Sequence, residues 1–149
     1  MKIFKLFILL FVFGVFALPS FAQNAKTDIF GYYFIEKSPK AFADISEIHL
    51  AGSYGAEQKP PMHGLIRMKS KKAKDFQLLK PNLDGMNLTF STKAVSGISY
   101  SFSGTFTRLG NFPEEQPEGK VLLKGTLIKL KGKMKLAEAN VSFTYSAGD

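Results

Sequence analysis

The chain of 149 residues contains no cysteine and no tryptophan, and only two histidines. Lack of cysteine excludes a thiol nucleophile, a thiolate metal site, a redox dithiol and any disulfide. It also excludes lipid attachment at a cysteine in the usual bacterial manner. Arginine occurs only at Arg67 and Arg108, and the lysine runs are not interleaved with aromatics, so a nucleic-acid partner is not expected. Long helical periodicity is missing. No nucleophile elbow of the form Gly-x-Ser-x-Gly and no Ser-x-x-Lys pair occurs. No glycine-rich phosphate loop leads into a helix. The chain therefore offers no catalytic constellation, and a non-enzymatic protein without a cofactor is expected.

Several patterns are present in their place. The opening stretch MKIFKLFILLFVFGVFALPSFAQ has Lys2 and Lys5, an apolar run from Leu6 to Leu18, a break at Pro19 and small residues at Ser20 and Ala22. This is the pattern of a secretory signal peptide, residues 1–22, with cleavage after Ala22. The run is shorter than the ~20 residues that span a bilayer. Residues 23–149 then form a single domain, large enough to bury one core. An exported domain without disulfides suits a Gram-negative periplasm or outer surface better than a eukaryotic extracellular space. The formal net charge of +8 loses two units with the signal and permits anionic partners without demanding them.

Period-two alternation dominates residues 23–149. Strand-like runs bounded by Gly, Pro, Asn and Asp lie near 28–36, 45–51, 63–70, 75–80, 86–93, 97–108, 120–130 and 134–145. The segment Ser38 to Asp44 reads as one helical turn with Ser38 as cap and Pro39 first. The stretches 51–61 and 109–119 read as polar loops. In Pro113 to Gly119 the carboxylates are expected to be exposed and to titrate normally.

Register can be tested from sequence, because directly opposed residues of antiparallel strands share a face. Pairing Phe106 with Leu123 sets Phe102 against Leu127 and Gly104 against Gly125. It also sets Tyr100 against Lys129. A three-residue loop at Lys131–Lys133 would pair Leu123 with Val141, Gly125 with Ala139 and Leu127 with Ala137. Upstream, Phe90 would meet Tyr100 and Leu88 would meet Phe102. These choices place the apolar residues of four strands on one face, whereas a one-residue slip would invert a strand. The row Gly104, Gly125, Ala139 predicts a sharp bend of the sheet or a place where something packs close.

The fold expected is all-β: a small eight-stranded antiparallel up-and-down barrel, with a two-sheet sandwich as second choice. Eight meandering strands resemble the architecture of lipocalin-type barrels. Their Gly-x-Trp signature is absent, and Phe30 to Phe34 (FGYYF) echoes it over five residues only, so the resemblance is one of architecture.

Function then turns on the two faces. Tyr32, Phe34, Phe90, Tyr100, Phe102, Phe106, Phe143 and Tyr145 are assigned to the interior. Eight strands enclose either a filled core or one small ligand. In the second case Phe90, Tyr100, Phe102 and Phe106 line the cavity, and Lys129 and Lys131 stand at its mouth to meet a small, partly apolar or anionic ligand. An alternative is a solid structural or interaction protein that acts through its surface, with Ile128, Leu130, Met134 and Leu136 facing outward. A further alternative is an outer-membrane barrel with its Phe/Tyr face toward lipid. Several runs are short of the 9–11 residues a tilted span needs, so no stable membrane insertion is expected after signal cleavage. Glu47 and His49 share a strand face, but no third ligand accompanies them, and no metal site is expected.

Overall fold

A computed structural model describes residues 27–52 and 62–148. Residues 1–22, expected to be a signal peptide, and most of the 51–61 stretch lie outside the described residues. The chain forms a closed barrel of eight antiparallel strands, each beside its sequence neighbours, with the last returning to the first. The strands are β1 (Gly31–Ile35), β2 (Ile45–Ala51), β3 (His63–Met68), β4 (Phe76–Asp84), β5 (Asn87–Thr92), β6 (Ile98–Phe106), β7 (Val121–Lys131) and β8 (Met134–Ser146).

Alternation sorts side chains to the two surfaces. On β6, Tyr100, Phe102 and Phe106 are buried inside, while Ser103, Thr105 and the following Thr107 are exposed outside. The interior is filled ring against ring. Phe90 stacks on Phe102 at 5.3 Å between centroids, and Phe102 meets Phe143 edge-on at 5.6 Å. Tyr33 meets Phe106 and Tyr145 edge-on. Each such ring withdrawn from water contributes roughly 2–3 kcal/mol before ordering costs are met.

Two connections also reach into the barrel. A 3-10 turn, Lys40–Phe42, lies between β1 and β2 and buries Phe42 completely, near Tyr100. The segment Ser38 to Asp44 thus makes its helical turn, although Ser38 Oγ donates to the Phe42 carbonyl rather than capping the first amide. At the other end a short helix, α1 (Phe112–Glu115), buries Phe112 completely against Phe106 and Tyr145. The 109–119 segment is therefore not a plain loop but a plug. Two of its three carboxylates, Glu115 and Glu118, are structural as well. Glu115 bridges Arg108 and accepts from the Asn111 amide at 2.9 Å. Those contacts hold its carboxyl below the ordinary range, led by the Arg108 hydrogen bond, so it does not titrate as a free side chain. Glu118 accepts from the Ala147 amide at 2.6 Å and ties down the end of β8.

The β6–β7 register is as the sequence predicts: Phe106 opposes Leu123, Gly104 opposes Gly125, Phe102 opposes Leu127 and Tyr100 opposes Lys129. The neighbouring hairpins differ by two residues, which keeps every face but changes partners. Phe90 opposes Phe102 and Leu88 opposes Gly104. Leu123 opposes Phe143, Gly125 opposes Val141 and Leu127 opposes Ala139. The cause in β7–β8 is a tighter turn plus a bulge. Lys131 pairs with Met134 around Gly132–Lys133, with Gly132 at φ +58°, and Leu136 is the extra residue of the bulge. Glycine first in a two-residue connection is tight-hairpin chemistry, and a bulge adds the residue that alternation alone does not reveal.

The close-packed spot is therefore built from Gly104 and Gly125, without Ala139, which opposes Leu127. A Cβ on Gly125 would lie 2.4 Å from both Gly104 Cα and the Ser103 carbonyl. One on Gly104 would lie 2.3 Å from Phe102 Cζ. The two strands close up here, and the Phe102 ring covers the glycines. A second difference lies in β1, where Tyr33 points inward and Tyr32 and Phe34 point outward. GYYFI is apolar on both faces, so alternation could not fix its phase.

Candidate functional site

The connections β1–β2, β3–β4, β5–β6 and β7–β8 share one end of the barrel. There the strand ends enclose a depression of about 640 Å³. Its apolar wall is Phe76, Ile98, Val95, Met68 and the ring of Tyr100; its polar groups include Lys129, Asp44, Lys72 and Lys74. Of the six residues expected to bind, Tyr100 and Lys129 line this depression. Phe90, Phe102 and Phe106 lie deeper, packed on other rings. Lys131 is exposed at the hairpin beside it, opposite Ile98 in register.

Strand geometry places the central pair. Tyr100 follows the start of β6, and its amide donates to Thr92 Oγ1 at 2.9 Å across the Ser96–Gly97 turn. Both turn residues have positive φ, +50° and +76°, the geometry a two-residue hairpin prefers. Phe76 meets the Tyr100 ring edge-on at 4.8 Å. Lys129 lies directly opposite on β7, with its ammonium 5.7 Å from the Tyr100 ring centroid. Its side chain is only 23% exposed, in keeping with the tendency of long cationic side chains to cover their stems and present the charge.

Asp44, at the start of β2, completes the group. Its Oδ2 lies 3.3 Å from Lys129 Nζ. The 3-10 turn sets its position: buried Phe42 anchors the turn, and the Asp44 carbonyl accepts from the Lys69 amide at 2.9 Å. Tyr100 is 1% exposed and its hydroxyl is covered; the Lys129 ammonium stands close enough to act on its oxygen, but the hydroxyl proton has no acceptor in hydrogen-bond geometry among the described residues. A buried donor left unpaired costs about 1–3 kcal/mol. Burial, with Asp44 nearby, raises the phenol's pKa above its ordinary value and keeps it protonated as a donor. Burial opposes the charge on Lys129, but Tyr100 and Asp44 outweigh it and raise its pKa. The site thus holds a fixed cation, a neutral donor with an unused proton, and an exchangeable carboxylate beside an apolar wall.

Sequence reasoning missed Asp44, Phe76 and Ile98 as site residues. Two lysines of the β3–β4 connection, Lys72 and Lys74, arrive at the same mouth as Lys129. Only closure of the barrel joins these segments, and no local spacing announces it.

A second, shallower groove of about 280 Å³ lies outside the barrel, lined by Tyr32, Phe34, Glu47, Arg67, Ser146 and Gly148. Glu47 and His49 share this face as expected. Glu47 accepts from Arg67 at 2.7 Å, and His49 stacks on Tyr32 at 4.5 Å. Burial, then Arg67, lowers the His49 pKa. Among the described residues no group of three or more His, Asp or Glu could hold a metal ion.

No protein-family model, curated protein or solved structure matches this chain.

Proposed function

We propose that this protein is an exported, non-enzymatic barrel that binds a small amphiphilic anion at its lysine-bearing mouth. The observation that carries the reading is the covered hydroxyl of Tyr100, its proton without an acceptor, beside Lys129 at the edge of an apolar depression. Small-molecule sites are largely apolar, with a few polar groups that fix orientation. The apolar part of the ligand lies along Phe76, Val95 and Ile98. Its anionic group replaces Asp44 on Lys129 and accepts the Tyr100 proton. The Lys2 to Ala22 pattern and the lack of cysteine support export to a Gram-negative periplasm or beyond. The inward direction of the Phe/Tyr face supports this reading over a lipid-spanning barrel.

Dodecanoate is a suitable probe, with a carboxylate for Lys129 and an apolar chain for the wall. Titration calorimetry should give saturable binding to the wild-type protein, with binding greatly weakened in Lys129→Ala. Equal binding by the two proteins, or none by either, would reject the site. Native mass spectrometry of protein released without detergent would then identify the resident molecule.

A further inference from the structure

The same end of the barrel carries a second feature that the mouth site does not use. Met134 and Leu136, both in the β7–β8 hairpin, are the most exposed large hydrophobic residues among those described, at 59% and 44%. The bulge that makes Leu136 an extra residue removes it from regular cross-strand pairing. Lysines alternate with these residues in the string Lys131-Gly132-Lys133-Met134-Lys135-Leu136. Lys135 pairs with Glu138. Lys131 and Lys133 have no ion pair among the described residues, and neither do Lys69, Lys71, Lys72 and Lys74 of the β3–β4 loop at the same end. Among the described residues the opposite end is instead richer in acid, with Asp84, Glu114, Glu115 and Glu118 against Arg108 and Lys120. Charge is thus polarised along the barrel axis, with apolar side chains protruding at the cationic end.

We propose that this end docks on an anionic lipid bilayer, with Met134 and Leu136 entering the headgroup layer and the surrounding lysines meeting lipid phosphates. Each lysine near such a surface adds attraction that fades within a Debye length, and apolar side chains at the boundary add buried area. A soluble polyanion would explain the lysines but not the exposed Met134 and Leu136. Docking is peripheral: the hairpin tip touches the membrane and the barrel does not cross it. The proposal is independent of the mouth ligand, since it needs neither Tyr100 nor Lys129.

The lack of tryptophan makes the test direct. Met134→Trp places a single fluorophore at the tip, and Met86→Trp places one in the β4–β5 turn at the opposite end, where Met86 is 38% exposed. With vesicles of equal parts phosphatidylcholine and phosphatidylglycerol, Met134→Trp emission should shift to the blue and be quenched by brominated acyl chains. Met86→Trp should not change. Adding Lys131→Gln and Lys133→Gln should weaken vesicle binding by about fivefold per charge removed. The proposal is overturned if Met134→Trp emission is unchanged by these vesicles or shifts equally with phosphatidylcholine alone. It is also overturned if Met86→Trp shifts as far, or if dextran sulfate binds the protein and vesicles do not. Dodecanoate binding is read separately by Lys129→Ala, so failure of one proposal leaves the other standing.

Discussion

Asp44 and Lys129, 85 residues apart in the chain, form an ion pair of 3.3 Å across the barrel mouth. Their side chains are 50% and 23% exposed, so the pair is neither deeply buried nor fully solvated. In the proposed site Asp44 occupies the place of the ligand's anionic group.

Removing that competitor should help the ligand. Pairs of this kind are worth about 0.2–1 kcal/mol, so Asp44→Asn should raise dodecanoate affinity by up to about fivefold. Calorimetric titration of both proteins checks this. Weaker binding by Asp44→Asn would mean that the carboxylate belongs to the binding set.

The close approach at Gly104 and Gly125 is a question of stability and not of ligand. A Cβ on Gly125 meets backbone atoms at 2.4 Å, and backbone yields less readily than a side-chain tip. Gly125→Ala should therefore destabilise the fold by about 1–3 kcal/mol, seen as a lower urea midpoint. An unchanged midpoint would show that the two strands separate without cost.

Alkaline pH should unfold the protein through its buried phenols. Tyr33 donates to the Ile29 carbonyl at 2.5 Å, and burial, followed by Tyr145 and Asp28, pushes its pKa far above the ordinary 10.0. Above pH 10 the unfolded chain releases this proton while the folded chain keeps it. The stability is thus complete below that pH and declines above it, by about 1.4 kcal/mol per pH unit for each such tyrosine. Phenolate absorbance from Tyr33 should appear only together with loss of the folded circular dichroism signal. Reversible titration of all five tyrosines near pH 10 with the fold intact would contradict this.

Much of this barrel is legible in sequence because its faces differ so strongly. Gly97 to Arg108 alternates Phe and Tyr with Ser and Thr, and β7 repeats the pattern, so their register follows from composition alone. The eight strand positions follow in the same way. Legibility stops where the code becomes symmetric or non-local. GYYFI is apolar on both faces and does not show that Tyr33 alone turns inward. The bulge at Leu136 shifts a register by two without changing a face. Phe112 plugs the barrel from within a Pro- and Glu-rich stretch that reads as a solvated loop. At the mouth, the opposition of Tyr100 and Lys129 was visible as a register consequence. Asp44 was not, because a buried 3-10 turn delivers it from the far side of the barrel.

The central claim is that Tyr100 keeps a hydroxyl proton without an acceptor in the free protein for use by a ligand. Tyr100→Phe measures both sides of that statement at once. Removing an unsatisfied buried hydroxyl should leave the ligand-free protein as stable as before or more stable, by up to about 1–3 kcal/mol, read from the urea midpoint. The same substitution should weaken dodecanoate binding by several-fold, read by calorimetry. A Tyr100→Phe protein that is clearly less stable, or that binds dodecanoate as tightly as the wild type, would contradict the account.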